Sequence, residues 1–223
     1  IDYIIGDEVL FRPSSEHDFS EYCVSLPCCY QPNTPSRAVA PPTERHHHEL
    51  PEDQFVFSCF NHHWKITPEI IDAWRQILER CPESILWIMS PLTGVDVSAI
   101  LVEHGIPSGR IIIAPILPVE KHLERIRHAD LFLDTFPCGA HTTASDSIFA
   151  KVPVLTVLGE SFHARVSASL MAHAGCPEFA CDSIDEYIEK AQSCYQQRKI
   201  IESAKIKLGQ WDTPTHPYNL ETT

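Results

Sequence analysis

From Gln54 onward the chain alternates between short apolar runs and segments of helical period, and that alternation leaves little choice of fold. Gln54 to Phe60, Ser84 to Met89, Arg110 to Ile116, Ala129 to Asp134 and Val152 to Leu158 are nearly continuous in Ile, Val, Leu and Phe. A strand that is apolar on both sides is a strand covered on both sides. Between these runs, Pro68 to Arg80 places Ile70, Ile71, Trp74, Ile77 and Leu78 at helical spacing. Val95 to His104, Val119 to Arg127, Thr142 to Lys151, His163 to Ala174 and Ile184 to Arg198 also read as helices. Gly105 and Gly175 close two of them. Strand and helix in regular succession predict a doubly wound α/β domain around a parallel sheet.

The first fifty residues differ. Ile1 to Gly6 and Tyr22 to Leu26 read as short strands, and Pro27 to Pro51 is rich in Pro, Ser, Thr and charge, as a linker or extended crossover is. A domain boundary is expected near Pro51, giving regions 1–50 and 51–223. The opening Ile1-Asp2-Tyr3, without Met, is read as an internal piece of a longer chain.

A net charge of -13 opposes binding to a nucleic-acid backbone, which needs clustered Lys and Arg. No apolar run is long enough to cross a bilayer as a helix, so no membrane partner is expected. Nine cysteines occur at irregular spacing without a C-x-x-C pair, which predicts free thiols, a cytoplasmic setting and no zinc site. His46-His47-His48 is read as a solvated loop.

Ligands of doubly wound sheets sit beyond the carboxyl ends of the strands. Three loops fall there: Asn61 to Lys65, Pro115 to Arg125 and Asp134 to Asp146. The third is the most informative. It runs from a strand through a Pro/Gly turn into a helix that begins His141-Thr142-Thr143. Free backbone N–H groups and hydroxyls at a helix start suit an anion, and Asp146 one turn on suits sugar hydroxyls. The same residues also suit an ordinary capped helix with an acidic first turn. No G-x-G-x-x-G loop is present, which disfavours a dinucleotide cofactor.

Phe60-Asn61-His62-His63-Trp64-Lys65-Ile66, Arg110-Ile111-Ile112, Leu133-Asp134-Thr135-Phe136-Pro137 and Ala140-His141-Thr142-Thr143-Ala144-Ser145-Asp146, in this order, resemble the protein O-GlcNAc transferase family. The resemblance implies a two-lobed GT-B glycosyltransferase fold, usually preceded by tetratricopeptide repeats. Residues 1–50 would be the end of the N-terminal catalytic lobe and a linker, and 51–223 the nucleotide-sugar-binding C-terminal lobe. The implied reaction moves N-acetylglucosamine from UDP-GlcNAc to Ser and Thr hydroxyls of proteins, with no metal and no cofactor besides the donor. Lys65 matches the lysine that contacts the diphosphate and supports its departure. His62 stands near the donor where the family commonly has Gln, and Leu117 is counted among the donor-binding positions. His122 and Arg125 match residues around the uracil, His141, Thr142 and Thr143 the phosphate-binding triplet, and Asp146 the ribose-binding acid.

The chemistry agrees. Negative charge builds on a leaving diphosphate, and an enzyme without a metal meets it with an ammonium, hydroxyls and a helix N-terminus. Each residue also has an ordinary alternative: a solvated loop lysine for Lys65, a surface position for His122, a surface salt bridge for Arg125. His62 and His63 are adjacent, so at most one is expected to face the donor.

The pattern departs from the family in places. Val119 stands where animal members tend to carry a ribose-contacting Lys, and His163 where small residues are usual. The front of the N-terminal lobe with its catalytic histidine is not in the chain, and Tyr218-Asn219-Leu220 is expected to stop before the last helix of the catalytic region. Two other functions stay open: a GDP-fucose-dependent protein O-fucosyltransferase, against which His141 and Asp146 speak, and a non-catalytic interaction module derived from a transferase lobe.

Overall fold

The computed structural model describes residues 2–12, 15–91 and 94–219. Ile1, where the first strand was expected to begin, and Leu220 lie outside the described residues. The fold is α/β. Six parallel strands form the main sheet: β3 (Phe55–Cys59), β4 (Ser84–Met89), β5 (Ile111–Ala114), β6 (Leu131–Leu133), β7 (Val154–Val157) and β8 (Ala180–Cys181). Their order is β5-β4-β3-β6-β7-β8. The chain first winds outward from β3 to β5, then returns to β6 on the other side of β3. The strand order therefore reverses between β3 and β6, where such sheets leave a crevice at their carboxyl edge.

The connections are helical: α1 (Pro68–Arg80), α2 (Val97–Glu103), α3 (Val119–Ile126), α4 (Thr142–Phe149), α5 (Val166–His173), α6 (Ile184–Gln196) and α7 (Arg198–Leu208). Thr67 starts α1 by accepting the Ile70 N–H, with Pro68 next in line, and the helix buries Ile70, Ile71, Trp74, Ile77 and Leu78. All five residues of β3 are buried, as a central strand covered by helices requires. Arg110 clips β5 to β4 through the Ser84 carbonyl and hydroxyl and the Cys81 carbonyl. That role accounts for Arg110 without any ligand.

The parallel α/β architecture agrees with the sequence reading, with three differences. The last helix was expected to run to Arg198. It stops at Gln196, Gln197 leaves helical geometry, and α7 follows, burying Ile201, Ala204 and Leu208. The two-residue β8 is too short to carry a pattern. The expected helix from His163 starts at Val166, after a short 3-10 turn.

Ahead of the sheet, β1 (Tyr3–Asp7) and β2 (Tyr22–Leu26) pair in parallel as a small separate sheet. Asp7 fastens it to α5: one carboxylate oxygen caps Val9 and Leu10, the other accepts from Tyr30 N and Ser169 Oγ. Residues 27–50 contain one 3-10 turn, Arg45–His48, and run as a strap across α4 and α3. Gln31 reaches Ser145, Arg37 reaches Asp146, and Thr43 reaches Glu124.

The strap also corrects the reading of the histidine run. His48 is not solvated: its side chain is 12% exposed. The Thr43 hydroxyl donates to Glu124 and accepts from Nε2 of both His48 and His128, so one hydroxyl uses its donor and both acceptors. All nine cysteines are free thiols, and seven are buried.

Candidate active site

The crevice between β3 and β6 is built around one carboxylate. Asp134, at the end of β6, is 1% exposed. Its Oδ1 accepts from Thr135 N, Ala140 N and Asn61 Nδ2 at 2.7–2.9 Å, and its Oδ2 from Thr156 Oγ1 at 2.8 Å. Burial pushes its pKa up while these donors oppose the shift. The turn folds tightly over this group, with Phe136–Pro137 in the cis form. A Cβ on Gly139 would lie 3.1 Å from Asp134 Oδ2, so glycine lets the backbone close. From behind, Trp74 Nε1 donates to Tyr187 Oη, which donates to the Asp134 carbonyl. Two helices thus brace the strand end.

The same turn delivers the start of α4. His141 is the N-cap residue, and no described side chain caps this helix. The N–H groups of Thr142, Thr143 and Ala144 therefore lack an intrahelical partner and present positive charge. Lys65, after β3, brings its ammonium 2.6 Å from the Gly139 carbonyl, two residues before that helix start. An ammonium and a helix N-terminus placed together form an anion site.

The other residues of the triplet behave differently from one another. Thr142 is exposed. The Thr143 hydroxyl donates to Asn61 Oδ1, so a phosphate would be met at Thr143 by backbone N–H. His141 Nε2 donates to the His163 carbonyl, and burial lowers the pKa of its ring.

Beside this anion site lies a cavity of about 290 Å³, lined by Phe60, Asn61, His62, His63, Met89, Ile116 and Thr143 among others. Both adjacent histidines line it. His62 Nδ1 accepts the Trp64 N–H, which leaves its Nε2 as the other polar ring atom.

His122 and Arg125 on α3 form the wall beyond Phe60. Arg125 is fully buried, which corrects the surface salt bridge expected as its ordinary alternative. Its guanidinium lies 5.5 Å from the Phe60 ring centroid and 5.8 Å from that of Trp87, and binds the Pro115 carbonyl. Burial lowers its pKa to about 10. Arg125 thus holds the β5–α3 loop and acts on the site through His122, whose Nδ1 accepts from Arg125 Nε at 3.1 Å. Burial, with Arg125 and Arg37 nearby, lowers the His122 pKa to about 4. At neutral pH the ring is uncharged with its hydrogen on Nε2, a donor suited to a base carbonyl.

Asp146, on the first turns of α4, is 7% exposed and is held by Arg37 Nη1 at 2.7 Å. The structure does not bring the Leu117 side chain to the 290 Å³ cavity. It faces Pro41, Pro42 and Thr43 of the strap in a separate hollow. Val119 is 62% exposed at the start of α3. The structure thus brings Lys65, His62 and the α4 start together at the switch point, with His122 against Phe60, Asp146 on α4 beside Arg37, Arg125 behind His122 and Leu117 apart. The sequence reading missed Asn61, Asp134 and Arg37. Asn61 and Asp134 had a signal, a polar residue directly after a buried strand, but Arg37 had none.

Glycosyl transferase family 41 matches residues 27–221. The chain is 33% identical over 237 residues to the probable UDP-N-acetylglucosamine--peptide N-acetylglucosaminyltransferase SEC of Arabidopsis thaliana, covering 99% of this chain and 24% of that protein. It is 36% identical over 151 residues to the UDP-N-acetylglucosamine--peptide N-acetylglucosaminyltransferase of Caenorhabditis elegans, covering 67% and 13%. The chain therefore spans about a quarter or less of these relatives. Among solved structures, a Thermobaculum terrenum O-GlcNAc transferase superposes with a TM-score of 0.80 at 27% identity, over 95% of this chain and 40% of the other. The fold is of the GT-B glycosyltransferase type, and the chain belongs to glycosyl transferase family 41.

Proposed function

We propose that this chain supplies the donor site of a protein O-GlcNAc transferase, which moves N-acetylglucosamine from UDP-GlcNAc to Ser and Thr hydroxyls of proteins. The observation that carries the reading is the meeting of Lys65 and the uncapped α4 start at Gly139. Both offer positive charge where a leaving diphosphate would develop negative charge. Lys65 is the residue assigned to that charge. The backbone N–H groups of Thr142 and Thr143 share the load, and His141 and His62 stand at its edge. His122 faces the uracil, with Arg125 fixing its ring, and Asp146 takes the ribose hydroxyls.

The transfer is proposed to need no metal, because Lys65 and the α4 start offer the positive charge that a divalent ion would otherwise supply. Two described clusters could each hold a metal ion: Asp7 with Cys29 and His173, and His48 with Glu124 and His128. Neither includes a residue that surrounds Lys65. A cytoplasmic setting is proposed from the nine free thiols. Among the described residues no helix is long and apolar enough to cross a membrane. The comparisons lend no support to the GDP-fucose alternative.

Thermal denaturation with UDP-GlcNAc tests the reading. Saturating donor raises the melting temperature of the wild-type chain. Lys65→Met abolishes most of that rise, because a charge-assisted hydrogen bond of about 1.5–3 kcal/mol is lost. A folded wild-type chain indifferent to UDP-GlcNAc would instead favour the non-catalytic module.

A further inference from the structure

The carboxylate assigned to the ribose does not stand alone. Asp146 Oδ1 is held at 2.7 Å by Nη1 of Arg37, a residue 109 positions earlier in the chain. The Arg37 side chain is itself 21% exposed, with its guanidinium 5.2 Å from the Phe149 ring centroid. The strap that carries it is tied down on both sides. Gln31 Nε2 donates to Ser145 Oγ at 2.7 Å, next to Asp146, and Ala40 N donates to the Glu120 carbonyl at 3.0 Å. Tyr218 closes the same corner, its hydroxyl donating to the Ser145 carbonyl at 2.8 Å. A carboxylate this buried is costly to keep charged without a partner. Arg37 is the one cation bonded to it among the described residues.

We propose that Arg37 is a positioning residue for sugar-hydroxyl recognition: by holding Oδ1 of Asp146, it sets the second carboxylate oxygen to accept the ribose hydroxyls of the donor. The inference rests on the donor-site reading above. It assigns a role to the Pro-rich strap, which carries half of an ion pair whose other half lies on α4. Arg37 touches no reacting atom, and its effect passes through Asp146. Arginine suits the task because its fixed charge strengthens the one bond, from Nη1 to Oδ1, that orients the carboxylate.

The consequence is specific to the ribose. Calorimetric titration of the chain with UDP and with 2′-deoxy-UDP measures it, in the wild type, Arg37→Met and Arg37→Lys. The wild type prefers UDP by about tenfold, the size of a hydrogen bond to a charged group. Arg37→Met shrinks that preference to about twofold and leaves affinity for 2′-deoxy-UDP nearly unchanged, while Arg37→Lys restores part of it. If Arg37→Met does not fold, Arg37→Gln carries the same comparison.

A folded Arg37→Met protein with full preference for UDP overturns the proposal. So does an equal loss for both ligands, which would make Arg37 a direct contact of the diphosphate. A wild-type chain that binds neither ligand overturns the donor reading itself, and this inference with it.

Discussion

The two ends of the crevice are made in different ways. At the end proposed for the diphosphate, one continuous stretch from Asp134 to Thr143 folds back on its own carboxylate, and Asn61 and Lys65 reach it from the neighbouring strand. At the end proposed for the nucleoside, one contact is remote and one lies within a helix. Asp146 is completed by Arg37 from a remote strap, and the ring of His122 is set by a buried arginine braced on two aromatic rings. At the first end the Asp134 carboxylate is satisfied by its own turn together with Asn61 after β3 and Thr156 on β7. The second is only as well placed as the strap that crosses it. On the proposed reading, phosphate recognition rests on the strand-end turn, and ribose recognition also depends on a segment outside the main sheet.

The largest effect expected from this contrast is at Asp134. Asp134→Ala strands the N–H groups of Thr135 and Ala140 and the Thr156 hydroxyl, and removes one of the two acceptors of Asn61 Nδ2. Equilibrium unfolding in urea is expected to show a loss of about 3 kcal/mol or more. A near-neutral result would break the claim that this carboxylate organises the diphosphate end.

A pH titration sharpens the comparison from the other side. His122, His128 and His216 have their pKa lowered from 6.5 to about 4, chiefly by burial. The unfolded chain takes up these protons below pH 6.5, and the folded chain resists until about 4. Stability supplied by the neutral rings is thus complete above pH 6.5 and is lost as pH falls toward 4. The raised carboxyls of Asp134 and Asp146 act in the opposite sense, so the variant His122→Phe isolates the histidine part. Its melting temperature should fall less steeply between pH 6.5 and 4 than that of the wild type. An identical slope would remove His122 from the set.

The smallest effect is at Val119, where the resemblance implies a lysine in animal members. The residue is exposed, so Val119→Lys costs little stability. A new exposed charge contact is worth about 0.2–1 kcal/mol, which predicts a gain in UDP affinity of about 1.4- to fivefold. No gain would mean that position 119 does not face the ribose in this protein.

The contrast also explains what the sequence disclosed. Strand and helix period, the Thr67-Pro68 start of α1 and the His141-Thr142-Thr143 start of α4 are local signals, and they led to the parallel sheet and to the anion site. Arg37 could not be found this way, because a lone arginine in a Pro-rich stretch carries no sign of a carboxylate 109 residues away. Arg125 misled for the same reason. Helix period places it, but only packing against Phe60 and Trp87 shows that it is buried. His48 was read as solvated because its partners, Glu124 and His128, lie on or just beyond a distant helix. Helix α7 was legible in the spacing of Ile201, Ala204 and Leu208, but the break at Gln197 has no Gly or Pro to mark it.

The most direct test of the account is calorimetric titration of the folded chain with UDP and, separately, with GDP. The account predicts micromolar binding of UDP and much weaker binding of GDP. It would be contradicted by equal or stronger binding of GDP, or by no binding of either nucleotide.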